Sequence, residues 1–505
     1  MRMRRRYQVQ QALRPVPACH EEHISLVGPP DAIGELNRLI EASPDLPQEM
    51  GIPDLRPEPV DMSPPLYTYV NGRWRSQVAQ SQAETTLSLQ LYAFDPNIPS
   101  SDATAKLKDF LERQGSELFR KITICIDPAV DSPFEGSDAP FEGSDAPFEG
   151  SDAPFEGSDA PFEGSDAPFE GSDAPLAVDP SIVSNKLAGQ PMLERIGFNW
   201  LRQERPDLTG ADVTVLILDT LPVAGEMDVP HEYVDFWIDL VGDQSPPAEP
   251  PAEPLPPPRI PMAEIHKYHG VMVASLVRHL APESTIVAAR VLDDQGKGWS
   301  TTLIQAILWA LSHRENRTTI NGRRLIHDKL IFNMSMGLPR TQAEDAEAIC
   351  LLRTLDAAAR ATTLVVAAAG NDSWRKPENP VEPAAFGFFA DTPATAAQVI
   401  AVAGTDRPAE YAFFSNEGHL AAPCRHIVGD TGSNSKIQQT YGFSAVRWSG
   451  TSFATPQVTG LAALLWSAGR VPFHQIKRHI WRTSQLPRRW HGVREIDCLR
   501  AFRVI

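Results

Sequence analysis

The chain has 505 residues, 42% of them hydrophobic, enough for several domains with sizeable cores. Its formal net charge is −18, but residues 134–175 alone hold twelve acidic side chains and no basic one. The rest carries an ordinary excess of acid, so a nucleic-acid partner is excluded as the main role. Five scattered cysteines (Cys19, Cys125, Cys350, Cys424 and Cys498) form neither a disulfide framework nor a metal motif, which fits a reducing compartment.

Residues 1–19 carry Arg2, Arg4, Arg5, Arg6 and Arg14 without an apolar core segment, and read as a flexible basic terminus rather than a secretory signal. No apolar run reaches the roughly 18 residues that a membrane span needs, so a cytoplasmic location is expected. Residues 20–130 then follow the order strand 23–27, helix 31–42, strands 66–74 and 85–94, helix 104–118, strand 120–126. That βαββαβ order suits a small α+β, ferredoxin-like domain.

Residues 131–184 are expected to be a disordered linker. Positions 134–175 are six tandem copies of Phe-Glu-Gly-Ser-Asp-Ala-Pro. Each copy contains a Gly and a Pro, which break helices, and one large apolar side chain, too little to offset chain entropy.

Residues 185–505 alternate strands (213–219, 285–292, 330–336, 363–369, 399–404) with helices (270–280, 301–312, 343–361, 452–468). The strands are near-continuous apolar runs, the pattern of a parallel sheet covered on both faces. A Pro-rich stretch, 245–261, reads as an exposed loop insertion.

Chemistry-bearing residues stand at the ends of these elements. Ser452, in Gly450-Thr451-Ser452-Phe453-Ala454-Thr455-Pro456, opens an apolar helix, where backbone N–H groups and the positive dipole end favour developing negative charge. Asp219 ends the strand 213–219, and ligands of parallel sheets bind beyond such carboxyl ends. His269-Gly270 opens the next helix. Asn371 follows Ala367-Ala368-Ala369-Gly370 at another strand end, where its amide can donate to an oxyanion. Asn333-Met334-Ser335-Met336-Gly337 ends a further strand, whose main chain can pair with an extended peptide. Each signal alone also has a bland reading: a turn former, a helix-start histidine, a turn asparagine.

Taken in order, these motifs resemble the subtilisin-like serine proteases (subtilases, peptidase S8) over roughly residues 190–470. Glu382-Pro383-Ala384, the run 399–404 and Leu420-Ala421-Ala422-Pro423-Cys424 also look like segments of that family. The order Asp, His, Ser and the asparagine donor are those of subtilisin itself. The resemblance implies a subtilisin-like sheet flanked by helices and a serine endopeptidase working through an acyl-enzyme. Ser452 would be the nucleophile, His269 the general base and Asp219 its orienting partner, with Asn371 in the oxyanion hole.

By the same resemblance, Ser335, Met336 and Gly337 would bind substrate backbone. Ala368, Ala369 and Gly370 would wall the first specificity pocket, with Val381 at its base. The substrate would be a protein or peptide. The chemistry needs no cofactor; the family often binds structural calcium, for which no ligands are read here. Subtilases also often carry a βαββαβ propeptide. Residues 20–130 therefore have two open roles, propeptide-like regulator or adaptor for a regulatory protein, and a peptide-binding pseudoprotease or adaptor-linked effector is the alternative function. The sequence departs from the family at Leu221-Pro222, Ser275 and Cys424, and its Asp219-to-His269 spacing is long.

Overall fold

A computed structural model describes residues 23–42, 46–58, 64–70, 73–78, 87–93, 100–113, 121–126, 129–131, 176–177, 190–222, 229–242, 265–294, 296–336, 349–371, 398–408, 410–433, 435–442, 444–485 and 493–504. The basic terminus, the repeats, the Pro-rich loop, Gly337 and the stretch containing Val381 and Glu382-Pro383-Ala384 lie outside them.

The parallel strands follow from their composition. Val213–Thr220 is buried at every position. Val213, Val215 and Ile217 face one core; Leu216 and Leu218 face the other. Both faces are covered by helices, so neither can be polar. The helices His269–Leu280 and Thr451–Ser467 contribute to the first core, and Ser300–Glu315 and Ile349–Arg360 to the second.

The central sheet runs Val399–Arg407, Thr363–Ala368, Lys329–Met334, Val213–Thr220, Thr285–Leu292, Phe236–Asp239, with these neighbours parallel. The strand 285–292 agrees with the sequence reading, and the others shift by a few residues. The helix expected over 343–361 is described as Ile349–Arg360. Phe236–Asp239 is a strand the sequence reading lacks; four residues are too few for a periodic signal.

The front region differs from its sequence reading in one important respect. The expected strand 66–74 is a hairpin, Pro65–Val70 with Arg73–Val78. It does not pair within the front sheet. Its first strand adds antiparallel to Phe236–Asp239 and so extends the central sheet. The position left in the front sheet is filled by a short strand, Arg56–Glu58, absent from the sequence reading. That antiparallel sheet runs Arg56–Glu58, Ser88–Ala93, His23–Gly28, Thr123–Ile126. The expected helix 104–118 is described as Ser100–Arg113.

Strand alternation explains how the front sheet docks. Ile24 and Leu26 face the front region's own helices, Pro30–Ala42 and Ser100–Arg113, in a separate core. Val27, on the opposite face, joins Leu87 and Leu89 in the second core of the central sheet. There the front strands contact helices Ser300–Glu315 and Ile349–Arg360. Two further segments tie the chain to the central body. Ala129–Asp131 pairs antiparallel with Lys297–Trp299, and Leu176–Ala177, within the stretch read as linker, pairs with Val446 and Arg447.

Candidate active site

Asp219 stands at the carboxyl end of the middle strand and is 1% exposed. Its Oδ1 lies 2.7 Å from His269 Nδ1 and accepts from the Thr220 amide at 2.7 Å. The Thr220 hydroxyl donates in turn to the His266 carbonyl at 2.5 Å, which ties the strand end to the segment leading into the histidine helix. His266 thus serves the site through its backbone.

His269 reaches Asp219 because Gly270 lets the helix start touch the strand. A Cβ on Gly270 would sit 2.4 Å from the Thr220 carbonyl oxygen and 2.7 Å from Asp219 Cβ. The imidazole, 2% exposed, packs edge-on against Trp448 and Phe453, with ring centroids 5.8 and 5.2 Å away. Phe453 is the neighbour of Ser452, so this contact brings the histidine to the start of the serine helix. Gly460 lets that helix approach the histidine helix, since a Cβ there would meet Leu280 Cβ at 2.5 Å.

Ser452 lies in the first turn of the serine helix and is fully buried. Its Oγ makes no hydrogen bond within the described residues. Catalytic hydrogen bonds of this kind often tighten only when substrate binds. The backbone around Ser452 is held tightly. Pro456 lacks the N–H that would otherwise bond the Ser452 carbonyl one helical turn earlier. The Ser335 hydroxyl supplies that donor at 3.0 Å. Asn333 Nδ2 donates to Ser335 Oγ at 3.0 Å, and Thr459 Oγ1 donates to Asn333 Oδ1 at 2.8 Å. All three side chains are fully buried. A chain of hydrogen bonds therefore joins the end of the strand Lys329–Met334 to the nucleophile's turn.

Asn371 is 3% exposed, and its Oδ1 accepts from both the Thr451 amide and the Thr451 hydroxyl at 2.9 Å. These two bonds fix which end of the Asn371 amide carries the oxygen and which the nitrogen. The Gly370 amide donates to Thr451 Oγ1 at 3.3 Å. Thr451 thereby locks the orientation of Asn371 beside Ser452.

Ser335 and Met336 are buried at the end of their strand, while Gly337 lies outside the described residues. Ala368 and Ala369 are buried, and Gly370 accepts from the Asn416 amide at 3.0 Å. Cys424 is a fully buried free thiol against Gly404, and burial pushes its pKa well up, so it stands as an inert filler. Its carbonyl accepts from the Gly450 amide at 2.9 Å and steadies the turn into the serine helix. Ser275 bonds the Met272 carbonyl and the Asp430 amide, a structural role.

Sequence reasoning missed the supporting roles of Thr220, Asn333, Thr451 and Thr459. Thr451 and Asn333 lie within motifs already singled out, but nothing in spacing tells which neighbour each hydroxyl or amide meets. It also missed Arg290, aligned with Asp219 across the strands and fully buried. Its guanidinium is met by Asp239 at 3.2 Å, Asp294 at 3.1 Å and the Gly242 carbonyl at 2.8 Å. Among the described residues no group of three or more His, Cys, Asp or Glu side chains gathers to hold a metal ion. No described helix is long and apolar enough to cross a membrane.

This geometry agrees with what comparison finds. Residues 262–494 match the subtilase family, peptidase S8. Over those residues the chain is similar to the subtilisin-like serine proteases. The match begins downstream of Asp219, which the fold nonetheless brings to His269. Subtilisin-like protease 6 of Trichophyton equinum is 31% identical over 209 residues, 40% of this chain and 43% of that protein. The minor extracellular protease Epr of Bacillus subtilis is 29% identical over 209 residues, 39% of this chain and 26% of that protein. The thermophilic serine proteinase of Bacillus sp. (strain AK1) is 31% identical over 215 residues, 40% of this chain and 43% of that protein. The chain thus spans less than half the length of these relatives.

Proposed function

We propose that the whole chain is a serine endopeptidase. The observation that carries this reading is the buried Asp219–His269 pair at 2.7 Å, set against a serine helix whose first turn is locked to Asn371. In this reading His269 takes the proton of Ser452 Oγ as the hydroxyl attacks an amide carbonyl, giving a tetrahedral intermediate. Asn371 Nδ2 and the Ser452 amide stabilise its oxyanion. His269 then protonates the leaving amine, and water hydrolyses the acyl-enzyme by the same route in reverse. Asp219 holds the imidazole tautomer and stabilises the imidazolium.

The substrate is an extended peptide held by main-chain bonds, with Ser335 and Met336 on one side and Ala368 to Gly370 on the other. The front region supplies control. We read it as a ferredoxin-like unit in the propeptide-like role, a reading supported by the sheet order Arg56–Glu58, Ser88–Ala93, His23–Gly28, Thr123–Ile126. Its trailing segment, Ala129–Asp131, is already an added strand at the catalytic end of the sheet: Val130 is aligned with Gly298, Gly298 with Leu292, and Leu292 with Thr220, next to Asp219. A peptide bound along that edge has to displace it. We read the compartment as reducing, on the cysteine pattern alone.

A fluorophosphonate label tests the chemistry. Wild type should be modified at Ser452, and Ser452→Ala should neither label nor cleave peptides. Equal labelling of both proteins, or no labelling of wild type, would remove the endopeptidase reading in favour of a peptide-binding pseudoprotease.

A further inference from the structure

We infer that Lys477 is a covalent modification site, at which the side-chain amine takes up carbon dioxide and is held as a carbamate by His419. This goes beyond the proposed activity and does not depend on it. The juxtaposition that carries it is a lysine nitrogen facing the one ring nitrogen of His419 that must bear a proton.

His419 stands just before the strand Leu420–Pro423, beside Ala401 of the strand Val399–Arg407. Ala401 holds it twice. The His419 amide donates to the Ala401 carbonyl at 2.9 Å, and the Ala401 amide donates to His419 Nδ1 at 3.0 Å. A ring nitrogen that accepts a hydrogen bond carries no proton. The ring is therefore not an imidazolium, and its single N–H is on Nε2. That nitrogen lies 3.2 Å from Lys477 Nζ. Lys477 comes from the helix Ile476–Thr483, and its Nζ also donates to the Val399 carbonyl at 2.8 Å.

An ammonium group has three donors and no acceptor, so it would set N–H against N–H here. A neutral amine has a lone pair to accept the Nε2–H and keeps a hydrogen for Val399. Burial acts in the same direction and pushes the Lys477 amine down to about 8. From the strands, His419 is the titratable group that meets Lys477, while Asp406, Arg407 and Glu417 are exposed. On its own helix Arg478 and Arg482 are exposed, and His479 Nε2 lies 2.7 Å from the Ala501 carbonyl. The preceding turn carries His474, exposed. The helix Thr451–Ser467 packed against it has no charged side chain, and Arg500 and Arg503 of the helix Cys498–Arg503 are exposed.

A neutral amine is a nucleophile, and an ammonium is not. The Nζ lone pair attacks the carbon of carbon dioxide. A C–N bond forms, one C=O bond opens to a carboxylate oxygen, and one amine proton leaves to water. The product, –NH–COO⁻, keeps one N–H for the Val399 carbonyl. The Nε2–H of His419 passes from the nitrogen to a carbamate oxygen, a charge-assisted bond stronger than the one it replaces. Carbon dioxide brings no leaving group, which suits an amine half-buried between a helix and a strand. Val399 begins its strand, whereas Asp219 and Asn371 stand at or beyond the carboxyl ends of theirs, so the carbamate forms at the opposite end of the sheet from the catalytic groups.

The test uses the full chain with Ser452→Ala, which prevents self-cleavage. The protein is incubated at about pH 8 with carbon-13 bicarbonate, the source of dissolved carbon dioxide, then treated with triethyloxonium, which fixes carbamates as ethyl esters. Peptide masses should show the labelled ester at Lys477 at least about tenfold above its level at the exposed Lys121. A yield at Lys477 no higher than at Lys121 would overturn the inference. A parallel sample receives acetic anhydride. Fast acetylation of Lys477 together with carbamate supports the site, whereas acetylation without carbamate would mean a neutral amine that does not take up carbon dioxide, and would equally overturn it. In a second protein, His419→Phe keeps a ring and removes the Nε2–H. Carbamate at Lys477 should drop at least about fivefold, and an unchanged yield would show that His419 does not hold it. Because the nucleophile is absent throughout, no outcome bears on the endopeptidase reading.

Discussion

The middle of the central sheet and its front edge are built on different physics. In the middle, parallel strands carry small and branched apolar residues, and polar groups at their carboxyl ends meet through single, directed hydrogen bonds. At the front edge, an antiparallel hairpin adheres through stacked aromatic rings and backbone pairing. The first region depends on angles and on tenths of an ångström. The second depends on area. A single atom changed in the first should cost turnover without unfolding the protein, whereas a side chain removed from the second should cost stability and leave the chemistry intact.

Trp237→Ala is the strongest test of that contrast. It removes the ring on which Tyr67 stacks and opens a cavity in the sheet edge. We expect a loss of about 3–5 kcal/mol in unfolding free energy, measured by denaturant titration, with kcat per folded molecule near wild type. A comparable loss of kcat in folded protein would erase the distinction between the two regions.

Asn371→Ala addresses the polar region. Removal of an oxyanion donor should lower kcat by about 10²–10³-fold with little change in KM, a magnitude established in subtilisin itself. A change confined to KM would mean that Asn371 binds substrate without stabilising the transition state.

The smallest expected effect sharpens the comparison through pH. His313 is fully buried on the helix Ser300–Glu315, against Trp309 and hydrogen-bonded to Thr318, and burial depresses its pKa to about 4. The folded state keeps it neutral while the unfolded chain protonates below its ordinary value of 6.5. The unfolded state therefore binds more protons between those values, and stability falls as pH drops through that window, by up to about 3 kcal/mol. Above pH 7 this group contributes no pH dependence. His313→Leu should flatten the acid limb of a stability-against-pH curve, and an unchanged limb would show that other groups govern it.

Much of the site was legible in the sequence because each key residue sits at the end of a strongly patterned element. The apolar run before Asp219, the small residues after His269 and the motif around Ser452 place those side chains at strand and helix ends, whatever the loops do. Gly270 was legible as part of a motif, but its reason, a helix start pressed onto the Asp219 strand, is a distance that no local pattern encodes. The bond from Ser335 to the Ser452 carbonyl is of the same kind. Pro456 announces that a carbonyl loses its donor, and only the fold says that a hydroxyl over a hundred residues upstream replaces it.

The front region shows the opposite limit. The sequence marked 66–74 as strand-forming, and the segment does form strands. Which sheet they join is decided by the edge that is free to pair and by the contacts made across it, the Tyr67 ring on Trp237 and the Trp74 indole N–H to the Val229 carbonyl. Periodicity reports which face of an element is apolar, because side-chain direction is set within a few residues. The partner of that face is set by contacts between residues far apart in the chain, so the sequence by itself determined the parallel α/β core and the order of its chemical groups, and the tertiary structure alone decided that the N-terminal hairpin belongs to the same sheet.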